Sequence, residues 1–138
     1  HAEAVYDGIK GIDGIRLRHR PDPEGDIGYS VFFEMPNKEA RDRCIEQLRQ
    51  HHVPTSTLSG SVLLPVAESV INKRARHPNW PSFNSPEGKA IQYGPDCCRQ
   101  TLEVFDRFVQ VRIGPKYTQR IDDHIIDAIR QVHREIVS

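Results

Sequence analysis

Val109-Gln110-Val111-Arg112-Ile113-Gly114-Pro115-Lys116-Tyr117-Thr118 changes its hydrophobic period partway along. Val109, Val111 and Ile113 alternate with polar neighbours, which predicts a short, half-buried strand. Gly114-Pro115 ends it, and Thr118 can cap the last helix of the chain. Beyond the cap, Ile121, Ile125, Ala128, Ile129, Val132 and Ile136 recur at helical spacing and define one apolar face. Asp122 and Asp123 open this helix and Arg130, His133 and Arg134 close it, matching the helix dipole. His124 and His133 are expected on or near its solvent side. On the other flank, Asp96 can cap a helix carrying Leu102, Phe105 and Phe108.

Further out, Tyr29, Val31, Phe33 and Met35 alternate with Ser30, Phe32 and Glu34, which reads as a central strand. Ile15, Leu17 and His19 alternate with arginines in a weaker strand, and Pro21-Asp22-Pro23-Glu24-Gly25-Asp26 is turn chemistry between the two. Asn37 can cap a helix whose apolar face is Ala40, Cys44, Ile45 and Leu48, and Val53, Thr55 and Thr57 follow as another strand. Val5 and Ile9 suggest a helix over residues 2–9, ended by Gly8, Gly11 and Gly14. Residues 62–76 read as one helix facing inward through Val66, Ala67, Val70 and Ile71, with Pro65 near its start. Residues 77–95, rich in Pro, Gly and Asn, read as irregular. The expected class is α+β: a small antiparallel or mixed sheet with helices packed on one side, in a single domain spanning 1–138.

Lys plus Arg equals Asp plus Glu at 19 each. That argues against nucleic acid as the main partner, because phosphate backbones select clustered positive charge. Arg74-Ala75-Arg76 and the Arg16/Arg18/His19/Arg20 cluster read as solvated faces. No apolar run has membrane-spanning length and no secretory leader is visible. Three cysteines, two of them adjacent, make a poor disulfide framework and fit a reducing cytoplasm.

No residue set for metal or nucleophilic catalysis emerges. Cys97 and Cys98 cannot easily share a structural zinc, and no second pair exists. A reactive thiol at a helix start is physically possible. The histidines lack a zinc-protease spacing, and no Gly-x-Ser-x-Gly occurs. Thr55-Ser56-Thr57 and Ser59-Gly60-Ser61 are hydroxyl-rich segments, able to line a polar pocket or simply to form an edge strand and turn. His77 enters the irregular segment beside Asn72, Lys73 and Arg74. Surface placement is the plain reading for it.

Read in order, these segments resemble the C-terminal part of the DegT/DnrJ/EryC1/StrS sugar aminotransferases. The resemblance rests on residues 11–18, on Ile27-Gly28-Tyr29-Ser30-Val31-Phe32-Phe33 and on His52-Val53-Pro54-Thr55-Ser56. It continues through Asn72-Lys73-Arg74, His77-Pro78 with Trp80-Pro81 and Phe83, and Pro115-x-Tyr117-Thr118 with the last helix. In the family's turn a glycine stands where this chain has His52. Its Cys-Pro is here Cys97-Cys98, and its Leu-Pro-Ile/Leu is Val111-Arg112-Ile113.

The resemblance implies the C-terminal small domain of a fold-type I transaminase, with residues 1–10 ending an interdomain helix. It implies pyridoxal phosphate (PLP), a sugar-type substrate, an amino donor and a homodimer for the intact enzyme. The Schiff-base lysine would lie elsewhere, and Lys73 does not match its flanks. Catalytic, cofactor-binding and metal-binding residues are therefore not expected in this chain. Substrate contacts are expected from Thr55, Ser56 and Thr57 through hydroxyls, and from Lys73, Arg74 and His77 through charge or imidazole. The rival classes are a stand-alone α+β binding or interaction module without catalysis, and an enzyme using Cys97 or Cys98.

Overall fold

A computed structural model describes residues 1–58, 63–77 and 81–137, with the side chains of 81 and 82 outside the description. The chain groups into two compact units. One comprises His1–Leu58 with Asp106–Ser138, the other Ser59–Phe105.

The first unit holds the sheet. Strands β1 (Arg16–Leu17), β2 (Ser30–Glu34), β3 (Thr55–Ser56) and β4 (Phe108–Arg112) lie in the order β1-β2-β4-β3, and every pairing is antiparallel. The long pair aligns Val31 with Val111 and Phe33 with Val109. These residues therefore share one face, the period-two consequence of the pleat. Helices α1 (Ala2–Ile9), α2 (Lys38–Gln50) and α7 (Gln119–Val137) supply the other half of the core. Val5, Ile9, Cys44, Leu48, Ile125, Ile129 and Val132 close on the sheet's apolar face. This is the expected α+β layer, and the mixed-sheet option resolves to an antiparallel one.

Close approach of α1 and α7 depends on a missing side chain. A Cβ at Gly8 would meet Ile126 at 2.5 Å, and Arg130 reaches over to donate to the Gly8 carbonyl from Nε and Nη2, at 3.0 and 2.7 Å. Tyr6 ties α1 to the sheet, its hydroxyl accepting from the Phe32 amide at 3.0 Å.

Asn37 caps α2 as expected, accepting from the Ala40 amide at 2.9 Å. The other end of α2 is more informative. The His52 amide bonds the Arg49 carbonyl, and the Val53 amide bonds the Leu48 carbonyl. This is a Schellman closure, which needs a left-handed residue just past the helix. His52 fills that position at φ 59°, where a side chain is strained and glycine is not. The glycine that the resembling family carries at this point now has its physical reason. His52→Gly should therefore stabilise the chain, by about 1 kcal/mol. A denaturant midpoint unchanged or lowered at equal m-value would contradict this.

The second unit differs from expectation. Residues 62–76 do not form one helix, although Val62 lies outside the described residues. Leu64–Val66 make a 3-10 turn, Ala67 is extended (ψ 131°), and only Glu68–Ile71 (α3) are helical. Pro65 suits a first turn, but the extended Ala67 breaks the ladder. Val66, Ala67 and Val70 are only half-buried and Ile71 is exposed, so no inward face forms. Residues 77–95 are not wholly irregular: Pro81–Asn84 (α4) and Pro86–Ala90 (α5) are short helices, the latter capped by Ser85 on the Gly88 amide. Phe83 and Tyr93 meet edge-on at 6.0 Å, while Trp80 lies outside the described residues. Asp96 does not cap the next helix. A 3-10 turn over Pro95–Cys98 precedes α6 (Arg99–Phe105), and the Asp96 carboxylate instead accepts from Arg99 at 2.8 Å. Phe108 belongs to β4 rather than to α6. Among the described residues, the buried apolar side chains all lie in the first unit. Local bonds hold the second, such as Arg74 on Glu68 and Lys73 Nζ on the Lys89 carbonyl.

Candidate functional site

The hydroxyl segment Thr55–Thr57 lies in the first unit, at the β3 edge of the sheet. Thr55 is buried, and its hydroxyl donates to the Ile45 carbonyl of α2 at 3.3 Å. That bond commits Thr55 to the fold. Ser56 points to the face opposite the core. Its Oγ donates to Gln110 Oε1 at 3.2 Å, and Gln110 Nε2 donates on to Ser30 Oγ at 2.9 Å. A polar row thus crosses three strands, β3 to β4 to β2. Thr57 Oγ1 accepts from Arg41 Nη1 at 2.8 Å. Arg41, on α2, is only 5% exposed, and its Nε lies 2.6 Å from Asp42. The alternation of Val109, Gln110 and Val111 sets Gln110 on the face away from the core but names no partner for it. A buried arginine on a charged helix face carried no sequence signal.

Lys73, Arg74 and His77 lie in the second unit. Lys73 is left-handed, at φ 50°. Arg74 is exposed and lies 3.3 Å from Glu68. His77 is exposed, and with Ala75, Arg76 and Phe83 it lines a shallow cavity of about 290 Å³. The Ser59-Gly60-Ser61 segment falls outside the described residues.

A larger cavity, about 470 Å³, opens in the first unit beside the start of α1, among His1, Glu3, Arg20, Asp26, Tyr29 and Pro115. No sequence pattern marked it. His1 Nδ1 sits 2.7 Å from Asp122 Oδ2, and Asp122 is 1% exposed in the first turn of α7. Its Oδ1 has no hydrogen-bond partner among the described residues, so the carboxylate relies on His1 and on the positive helix end. A buried acceptor of this kind fixes the orientation of the His1 imidazole at the cavity wall. Arg20 stacks over Tyr6 at 4.0 Å and pairs with Glu3 at 2.7 Å. Its guanidinium hydrogen-bonds the Glu3 carboxyl and holds it below the usual carboxylate range. Arg18 pairs with Asp26 at 2.7 Å and Arg16 with Glu34 at 2.6 Å. The arginine cluster is thus a set of ion pairs rather than a simply solvated face. Asp122 lies in the first turn of α7, as the dipole reading expects, and is buried there; His133, expected on the solvent side, is buried too. Ile121, assigned to the apolar face, is 37% exposed.

The fit to a Schiff-base cofactor can be tested on the lysines. An aldimine lysine is desolvated and enclosed. Lys10, Lys38, Lys89 and Lys116 are exposed and Lys73 is half-buried on a backbone carbonyl. None lines either cavity described above. These residues do not fit the role, and no step of a reaction runs through them to the cofactor. Among the described residues no cluster of three or more His, Cys, Asp or Glu could hold a metal, and no helix is long and apolar enough to cross a membrane.

The fold is that of part of the sugar aminotransferases of the DegT/DnrJ/EryC1/StrS type. The PMP form of Spr1654 from Streptococcus pneumoniae, assigned as a sugar aminotransferase, superposes with a TM-score of 0.64 at 12% identity, over 97% of this chain and 29% of that one. TlmJ, an aminotransferase from Streptoalloteichus hindustanus, gives 0.65 at 13% identity, over 99% and 31%. A DegT DnrJ EryC1 StrS aminotransferase from Brucella abortus gives 0.58 at 17% identity, over 96% and 29%. The chain therefore spans about a third of the length of each. No protein-family model matches the sequence, nor does any curated protein sequence.

Proposed function

We propose that this chain is the C-terminal domain of a PLP-dependent aminotransferase acting on a keto-sugar or nucleotide-sugar type of substrate. The supporting observation is the fold likeness over nearly the whole chain but only about a third of each matched enzyme. One of those structures is a PMP form and another a PLP form. Residues 1–10 would end the helix leading in from the larger domain, which would hold the cofactor and its lysine. On this reading the intact enzyme is a cytoplasmic homodimer that takes its nitrogen from an amino donor, and this chain alone is inactive.

The small domain's own part is recognition. Ser56 and Thr57 offer hydroxyls held in place by Gln110 and Arg41. Arg74, Lys73 and His77 offer donors for an anionic substrate group. Thr55 carries less of this role than its neighbours, because it is buried and its hydroxyl donates into α2 at the Ile45 carbonyl.

The coding sequence upstream of His1 gives the first test. A large domain bearing an aldimine lysine supports the reading, and a start codon beside His1 overturns it in favour of a stand-alone binding module. In the intact enzyme, Arg74→Ala should raise substrate KM about tenfold with a smaller change in kcat, the loss of one charge-assisted bond. An unchanged KM would remove Arg74 from the site.

A further inference from the structure

Cys97 and Cys98 are free thiols on consecutive residues, inside the 3-10 turn Pro95–Cys98 that leads into α6. Cys97 is exposed and Cys98 half-buried, and the Cys97 thiol donates to the Gln92 carbonyl at 3.3 Å. The third thiol is of another kind. Cys44 is 2% exposed in the core, and burial pushes it up to about 12, which makes it inert near neutral pH. Accessible thiol chemistry in this chain is thereby confined to one dipeptide.

We propose that Cys97 and Cys98 together form a bidentate site for a soft, thiophilic metalloid of the trivalent arsenical class. Neighbouring Cα atoms are about 3.8 Å apart, so both sulfurs can reach one small centre. Closing a disulfide between them is harder. It needs the two Cβ atoms within about 3.8 Å, whereas successive residues of a 3-10 turn project about 120° apart. An arsenic atom between the sulfurs spans a wider gap, and thiolate is its preferred soft ligand. A four-ligand zinc site is disfavoured, because no group of three ligating side chains occurs among the described residues. An organoarsenic(III) centre needs only two.

The reaction balances without an oxidant. The arsenic–oxygen bond of an arsenous oxide breaks, two arsenic–sulfur bonds form, and the oxygen leaves as water with both thiol protons. Arsenic stays trivalent and sulfur stays at the thiol level.

The test is intact-mass analysis of the folded chain with phenylarsine oxide. One adduct per chain is expected, its mass that of the reagent less one water. It should survive excess 2-mercaptoethanol and be stripped by 2,3-dimercaptopropanol, since only a dithiol competes with a chelate. Cys97→Ser and Cys98→Ser should each weaken retention by at least about tenfold, the loss of effective concentration from the second thiol. Cys44→Ser should leave retention unchanged, and circular dichroism identifies any variant that fails to fold. No adduct on the unmodified chain would overturn the proposal. So would an adduct in Cys97→Ser or Cys98→Ser that still resists the monothiol, or one that depends on Cys44. If Cys44→Ser fails to fold, mapping the adduct by digestion of the unmodified chain decides the same point.

Discussion

Phe33→Ala should cost about 3–5 kcal/mol, a large part of the ~5–15 kcal/mol that a domain of this kind has in total. Phe33 has no exposed surface. It sits mid-sheet, opposite Leu17 of β1 and Val109 of β4, and belongs to the core cluster that α1, α2 and α7 complete. Removing the ring leaves a cavity bounded by a hydrogen-bonded ladder, which has little freedom to collapse. The denaturant midpoint should fall with the m-value unchanged. Phe32→Ala is the matched control. Phe32 faces the other way, stacks on Phe108 at 5.1 Å and lies under Arg18, so it should cost less than Phe33→Ala. Equal losses at the two positions would contradict the assignment of the core to one face.

Arg41→Ala is the second large effect, with two readouts. The guanidinium is buried, donates to Thr57 and lies against Asp42. Its loss removes a charge-assisted bond and the packing of its stem, together about 2–3 kcal/mol. Arg41→Lys should recover part of the stability but not the forked geometry at Thr57. In the intact aminotransferase, Arg41→Ala should raise substrate KM several-fold if Thr57 contributes to recognition, with kcat less affected. Because Arg41 would act by positioning Thr57, Thr57→Ala should produce the same KM shift, and the double variant should add little to it. A stability loss with KM unchanged would make the pair purely structural.

Long periodic segments were legible because their pattern is their packing. Val31 and Phe33, and Ile125, Ile129 and Val132, went to the core as their spacing required. Caps and closures were legible where a side chain acts locally, as Asn37 does on α2. Residues 62–76 were not, since Val66, Val70 and Ile71 mimic a helical stripe while an extended Ala67 divides the segment. Nor were the partners of the hydroxyls. Ser56 meets Ser30 through Gln110, fifty-four residues from Ser56 and eighty from Ser30, and no local pattern encodes such a separation.

The α+β layer was already present in the order of residues, because hydrophobic period is a property of chain neighbours and survives without knowledge of partners. So was the succession of segments behind the aminotransferase resemblance. The burial of Arg41, Asp122 and His133, the cavity beside His1 and the commitment of Thr55 to the fold arose from long-range packing alone. A polar side chain's surroundings depend on which distant element packs against it. A charged residue on a helix reads the same in sequence whether it faces water or another helix.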